Sequence, residues 1–427
     1  MTETDPFRAV AGPATGPPSS PSPRILVVGT ADTKPDELRY LARCIARLGG
    51  EPSVMDVGVL DGAPFAVDIP NHRVAQAAGT TLAAIAGLGD ENAAMAEMAR
   101  GASALTRRRW ADGQLDGVLL LGGTMGTDLA LDVAASLPLG VPKVVLSTVS
   151  FSPLIPPERI SPDLTMVLWA GGLYGLNPIC EGALQQACGA VVGAARAREP
   201  AHDPRPLVAI SSLGRSCLSY MVRLKPALEA RGYGVAVFHC TGMGGRAMEG
   251  LAAEGRFVAV LDLCMQELCN EVNGSVVSAG PDRLRGAGRA GVPQIVAPGA
   301  SDMFDLPAWQ PLPPKYEGRP YHAHNRLIGS VVLTPDERRA VALAIGERLR
   351  EARGPTAFVL PLGGIEQWDR PGEPLNDPAG LAAFVAGARE AIPGRIELDA
   401  HINDSAFSDA VMAVFDAWVD QGKIPRP

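Results

Sequence analysis

Short apolar runs alternate along the chain with longer amphipathic stretches, and the alternation is played through twice. Residues 25–28 are a continuous apolar run that stops at Gly29. After a polar turn, Leu38, Leu41, Ile45 and Leu48 share one face of a helix over 35–48, which opens on Pro35 and ends at Gly49-Gly50. The same reading predicts strands at 53–57, 117–121, 143–146 and 165–169, and helices at 91–109, after 122–127 and at 178–196. Residues 198–206 hold Pro200, Pro204 and Pro206 among charges with no periodicity, which reads as a linker. The pattern then restarts with strands in 207–212, 233–239, 256–264, 293–299, 356–361 and 395–401. Helices are predicted over 216–232 (despite Pro226), after the 241–245 loop, and at 335–352, 378–390 and 405–420. Strands alternating with helices predict parallel sheets covered on both faces. The fold class is therefore α/β, with two doubly wound, mostly parallel-sheet (Rossmann-like) domains at 24–197 and 207–427. They follow a tail at 1–23, rich in Pro, Ser, Thr and Gly, that reads as disordered.

Composition narrows the partners. Of 427 residues, 47% are hydrophobic and 20% charged, which suits globular domains with sizeable cores. Aromatics reach only 5%, so the core must be mostly Ala, Val and Leu. A net charge of −8 argues against a nucleic-acid partner, whose phosphates need basic patches. Seven dispersed Cys without a CxxC read as reduced and cytoplasmic, and Cys264 and Cys269 as buried packing. The tail lacks the apolar segment of a signal peptide, and no apolar run of membrane-spanning length occurs.

In open α/β sheets ligands sit beyond the carboxyl ends of the strands, so candidate chemistry is sought there. In the first domain four strand ends qualify: Gly29, Thr30, Asp32, Thr33 and Lys34; Asp56; the GGTMGT loop with Gly122, Gly123, Thr124, Gly126 and Thr127; and Ser147-Thr148. Strand, polar turn and helix present backbone N–H groups and a positive helix end to an anion, so these turns are expected to hold nucleotide phosphates. The Walker spacing GxxxxGK[ST] is absent. The plainer alternatives are a tight turn for GGTMGT, an exposed helix-start lysine for Lys34, a helix cap for Asp32, set against a water-mediated Mg2+ contact, and a simple strand-end carboxylate for Asp56, set against ribose binding. In the second domain His239 precedes TGMGG, a second anion-like loop. His322 and His324 flank Ala323 ahead of Asn325, and His401 follows a strand. Glu267 is a candidate general acid or base. Cys217 or Ser216 is a candidate nucleophile, against the plainer reading of a small polar helix start. No metal ligand set can be assigned.

The motifs GTADTKPDEL, GGTMGT, LSTV, GLN, FHCTGMGGRAME, SAGPDRL, PGASDMF, HN and ELDAHINDSAF occur in order over residues 24–415. In combination they resemble the tobamovirus-resistance ATP-binding protein family. That resemblance implies ATP and Mg2+ in the first domain, on the turns already named, a second α/β domain whose chemistry is unsettled, and a homodimer; the substrate site is expected in that second domain. His239, Glu267, His324, Asn325 and His401 are kept from the family pattern, and the expected catalytic residues are His239, Glu267, His324, His401 and, from its strand-end position alone, Cys217. The chain departs from the family where Val149 runs into SFSP, where AGG precedes LYGLN, and where SLGRSCLSY replaces a Thr-rich turn. The expected function is an ATP-dependent enzyme acting on a small molecule, by ligation or by phosphoryl or adenylyl transfer to a carboxylic acid. The alternatives are an ATP-responsive protein-binding protein and an ATP-independent hydrolase or lyase.

Overall fold

A computed structural model describes residues 22–198, 204–217 and 219–427. Nearly all of the tail, and the linker from 199 to 203, lie outside the described residues. The chain divides into two compact units, the second built from residue 200 onward together with the short segment 156–162.

The first unit runs β1 (Arg24–Gly29), α1 (Pro35–Arg47), β2 (Glu51–Asp56), α2 (Asn71–Ala77), α3 (Leu82–Ala86), α4 (Glu91–Ala111), β3 (Gly117–Gly122), α5 (Thr124–Ala135), β4 (Lys143–Ser147), β5 (Thr165–Leu168) and α6 (Pro178–Ala197). Its five strands are parallel, in the order β2-β1-β3-β4-β5. Alternate side chains of β1 enter opposite cores: Leu26 and Val28 pack toward α2 to α5, and Ile25 and Val27 toward α1 and α6. Strand order reverses between β1 and β3, which opens a crevice at their carboxyl ends. Register places Gly29 beside Asp56 and Gly122 beside Ser147, so the polar strand ends share one edge of the sheet. The sequence reading had a loop where α2 and α3 stand. These are short, Ala-rich helices with little periodicity, α3 being capped by Thr81.

The second unit runs β6 (Leu207–Ser212), α7 (Ser219–Glu229), β7 (Gly234–His239), α8 (Met243–Ala253), β8 (Ala259–Cys264), α9 (Gln266–Val272), α10 (Gly286–Ala290), β9 (Gln294–Gly299), β10 (Met303–Pro307), β11 (Tyr321–Ala323), β12 (Ile328–Val332), α11 (Pro335–Leu349), β13 (Thr356–Pro361), α12 (Pro378–Ala391), β14 (Ile396–Leu398) and α13 (Ser405–Asp420). Six strands form a parallel sheet in the order β14-β13-β9-β8-β6-β7. The core here recruits aromatics after all: Tyr220 packs on Phe407 and Tyr233 on Phe415. The sequence missed a second sheet. β10, β12 and β11 form a three-stranded antiparallel sheet that carries His322 in a strand instead of a loop. Pro335 at the first turn and the Thr334/Glu337 capping box then start α11.

No helix among the described residues is long and apolar enough to cross a membrane.

Candidate functional site

A cavity of about 350 Å³ lies at the β1/β3 switch point of the first unit. The 29–34 turn contributes Thr30, Asp32, Thr33 and Lys34 to its wall. The GGTMGT loop contributes Gly123, Thr124, Met125 and Gly126, and Val59, Leu60, Glu91 and Met95 complete it. Two turns some ninety positions apart are thus brought to one cavity because β1 and β3 are neighbours.

The three glycines of the loop have different causes. A Cβ on Gly122 would overlap the backbone of Gly126, so this glycine lets α5 pack onto the end of β3. A Cβ on Gly123 would meet only Thr148 Oγ1, at 3.9 Å, and one on Gly126 only the Leu121 carbonyl, at 3.4 Å. Neither residue has a positive φ. Packing and backbone strain therefore leave Gly123 and Gly126 unexplained, while both face the cavity. No side chain caps the start of α5, whose first turn borders the same space. Lys34 Nζ donates to Thr33 Oγ1 at 3.2 Å, and Thr33 Oγ1 lies 2.7 Å from Thr30 Oγ1.

Several predicted ligand residues are turned inward. Asp56 is 1% exposed and accepts from the Ala31 and Gly58 amides at 2.9 and 2.8 Å, tying the 29–34 turn to the loop after β2. Burial raises its pKa, partly offset by those two amides. The ribose role expected for it is corrected accordingly: it does not line the cavity. Thr127 and Ser147 are also buried, their hydroxyls 2.6 Å apart, and Thr127 donates to the Gly123 carbonyl. They join α5 to β4 and are internal ties. Gly29 gives α1 room, since a Cβ there would come within 2.9 Å of Leu38. The Thr148 amide donates to the Gly122 carbonyl, outside the cavity wall. Asp32 keeps one foot in each role: Oδ2 accepts from the Leu60 amide at 3.1 Å, while Oδ1 is buried without a partner.

Among the described residues no group of three or more His, Cys, Asp or Glu converges as a metal cage. Mg2+ does not require one, because it is held by one or two carboxylates with substrate phosphates and water. The unpartnered Asp32 Oδ1 fits that need.

The second unit has its own cavity, of about 190 Å³, at the ends of β6 and β7. It gathers His239, His322, His324 and Asn325 with Arg215, Ser216, Gln266, Asp305 and Trp368. The three histidines meet because the small antiparallel sheet folds over the strand ends. His322 stacks on Trp368 with centroids 4.7 Å apart and lies 6.2 Å from His324. Burial and the neighbouring His324 lower the His322 pKa, disfavouring the charged ring. Asn325 Oδ1 accepts from the Leu327 and Ile328 amides and shapes the turn.

Three expected catalytic residues are not at this cavity. Cys217 is fully buried in the core with its sulfur toward the Ile365 carbonyl. A contact with Cys264 lowers its thiol pKa, but burial and the Glu366 and Asp302 carboxylates outweigh it and the net shift is upward. A buried thiol held protonated is not a nucleophile. Glu267 is 0% exposed. Its Oε1 accepts from the Gly242 and Gly245 amides at 2.6 and 3.0 Å, and its Oε2 from Arg283 Nε at 2.9 Å. The TGMGG loop does bind an anion, and that anion is the protein's own Glu267. Gly245 is required because any Cβ would strike this carboxylate. Arg283, also fully buried, joins Glu267 to Asp262 and Glu249. His401 is 2% exposed. Its Nδ1 accepts from the Asn403 amide, which puts the proton on Nε2, directed at Asp369 Oδ1 and the Glu366 carbonyl, both at 2.8 Å.

Sequence reasoning passed over Arg215, Gln266, Asp305 and Trp368. Arg215 follows a strand end with no motif to mark it, Asp305 lies in a five-residue strand too short for its periodicity to show, and Trp368 lies in a loop. The loops after β9 and β13 also bury two carboxylates, Asp302 and Glu366, none of whose oxygens meets hydrogen-bond geometry. Burial, and then the charge of Asp302, push the Glu366 pKa up to about 9, although the Trp368 amide offsets part of the rise. Burial raises Asp302 to about 6, against the pull of Arg338.

With this geometry in hand, comparison places the chain among known sequences. Residues 23–200 match "Uncharacterised protein family (UPF0261) N-terminal domain", and residues 205–419 match the C-terminal domain of the same family. A UPF0261 protein of Brucella melitensis is 57% identical over 408 residues, covering 95% of this chain and 98% of its own length. One from Clostridium tetani is 32% identical, covering 91% and 97%. A ToMV resistance protein, Tm-1(GCR237) of Solanum lycopersicum, is 28% identical over 93% of this chain and 56% of its own length.

Proposed function

We propose, for a chain that belongs to the uncharacterised protein family UPF0261, that the first unit binds ATP with Mg2+ and that the protein uses it to act on a small molecule held by the second unit. One observation carries the nucleotide reading. Gly123 and Gly126 are glycines that neither packing nor backbone conformation demands, and both face a switch-point cavity at the open start of a twelve-residue helix. Close approach of a phosphate to backbone N–H groups accounts for them. Thr30, Thr33 and Thr124 add hydroxyl donors, and Lys34 adds a cation with no ion pair among the described residues. The cavity volume falls within the roughly 300–1,000 Å³ usual for ligand sites.

Charge makes Mg2+ part of the same reading. Asp32 and Glu91 oppose the single Lys34 on the wall, so a bare triphosphate would be repelled. Mg2+ would neutralise it, with Asp32 Oδ1 as the protein oxygen. Bound ATP would supply an activated phosphoryl or adenylyl group, for which a carboxylic acid is the proposed acceptor. The residues of this chain bind and orient: the two glycines admit the phosphates, and Lys34 offsets their charge. The homodimer implied by the tobamovirus-resistance resemblance, and the cytoplasmic setting expected from the dispersed cysteines, belong to the same proposal.

The same two carboxylates favour a second reading, in which the first cavity is a relict and the second unit acts alone as a hydrolase or lyase. Titration of ATP with and without Mg2+, followed by ADP and AMP release over a panel of carboxylic acids, separates the two. Binding that needs Mg2+ and acid-dependent turnover support the first. Absence of binding in both conditions supports the second.

A further inference from the structure

We propose that the second cavity binds a small carboxylic acid that also carries a hydrogen-bond donor, a hydroxy acid or an amino acid. This deepens the reading above by naming the acceptor class, and it rests on that reading only for what happens to the acid after it is bound.

Size sets the first limit. About 190 Å³ is the space of roughly six waters, enough for an acid of roughly three to five carbons and too little for a nucleotide. Charge sets the second. Arg215 is exposed at the cavity wall and makes no ion pair among the described residues, and its planar fork matches a carboxylate. His322 packs its ring on Trp368, with centroids 4.7 Å apart, and burial and His324 disfavour its charged form.

The third limit comes from Gln266, which lines the cavity and is 2% exposed. Its Nε2 donates to the Met303 carbonyl at 2.9 Å and approaches Asn270 Oδ1 at 3.4 Å. Those two acceptors fix which end of the amide is nitrogen. Oε1 is then left buried with no partner. A buried acceptor without a donor is costly, and a ligand that brings one is selected for it. Each oxygen of the adjoining Asp305 already receives a donor, Ser330 Oγ at 2.6 Å and Asn270 Nδ2 at 3.0 Å, so the wholly unpartnered Gln266 Oε1 gains more from a ligand's donor. The wall therefore asks for an anion at one end and a hydroxyl or amine at the other.

The test uses the full chain without nucleotide, titrated by calorimetry with lactate, glycerate and malate, with alanine, serine and aspartate, with propionate and succinate, and with glycerol. At least one hydroxy or amino acid should bind about tenfold or more tighter than the unsubstituted acid of the same length. The winning series tells hydroxyl from amine. Arg215→Met should abolish that binding, and Gln266→Met should erase the preference for the donor while keeping the plain acid, both with melting temperature as the fold control. Equal binding of plain and substituted acids, glycerol binding as well as the acids, full binding by Arg215→Met, or no acid bound at millimolar concentration would each overturn the proposal. ATP binding is titrated separately in the same preparation, so failure of one reading leaves the other standing.

Discussion

Replacing Glu366 by Gln should remove much of the protein's loss of stability at alkaline pH. Glu366 and Asp302 are buried together, and their four oxygens find no hydrogen-bond partner. Two carboxylates in such a site cannot both ionise cheaply, and Glu366 keeps its proton up to about pH 9 while Asp302 gives its own up near 6. The unfolded chain releases the Glu366 proton near its ordinary value of 4.5. Between those limits the folded state binds one more proton than the unfolded state. Unfolding free energy therefore falls as pH rises, by about 1.4 kcal/mol per pH unit from this group. Between pH 6.5 and 8.5 the wild type should lose about 2.7 kcal/mol that Glu366→Gln does not lose. For a unit of this size that widens the melting-temperature gap between variant and wild type by about 5–11 °C. The amide keeps the side-chain shape and carries no titrating proton, so the variant should already melt above the wild type at pH 6.5, two units above the unfolded value, and the gap should widen further by pH 8.5. Differential scanning calorimetry of both at the two pH values makes the comparison. A variant whose melting temperature falls with pH in parallel with the wild type would refute the buried-pair reasoning.

The other expectations concern ties and site residues. Gly122→Ala forces a methyl into the backbone of Gly126 and should destabilise the first unit by about 1–3 kcal/mol in a urea melt. Glu267→Gln strips one of three charges paired with the buried Arg283, which keeps Asp262 and Glu249, at a cost of about 1–3 kcal/mol. A variant of wild-type stability but lost activity would restore a chemical role for Glu267. Lys34→Met should weaken ATP binding about tenfold or more by calorimetry without lowering the melting temperature, because Lys34 makes no ion pair among the described residues.

The sheets were legible because parallel strands in the sheet interior leave continuous apolar runs, and strands end at Gly29, Gly122 and His239, where loops that reach the two cavities begin. Order along the chain also predicted the convergence of 29–34 with 122–127. Direction was not legible. Asp56, Thr127, Ser147, Glu267 and His401 all sit at or just beyond strand ends, as cavity residues would, yet each faces inward to a neighbouring turn or strand. The difference depends on partners distant in sequence, such as Arg283 for Glu267 and Asp369 for His401. The antiparallel sheet was not legible because its strands are three to five residues long and the first two are separated by a proline-rich stretch, 308–320. With it went the fold that gathers His322, Trp368 and Arg215 at one cavity.

The nucleotide claim comes down to Gly126. Alanine there has room, since its Cβ would lie 3.4 Å from the Leu121 carbonyl, and it removes a glycine from inside α5. Stability should hold or rise by about 0.5–1 kcal/mol. The added methyl also faces the space assigned to phosphate. Calorimetric titration of ATP with Mg2+ into wild type and Gly126→Ala is thus the most direct measurement. The account predicts saturable, Mg2+-dependent binding to the wild type and loss of it in a variant that melts no lower. Wild type that takes up no ATP at millimolar concentration, or a variant that binds it as tightly as wild type, would contradict the account.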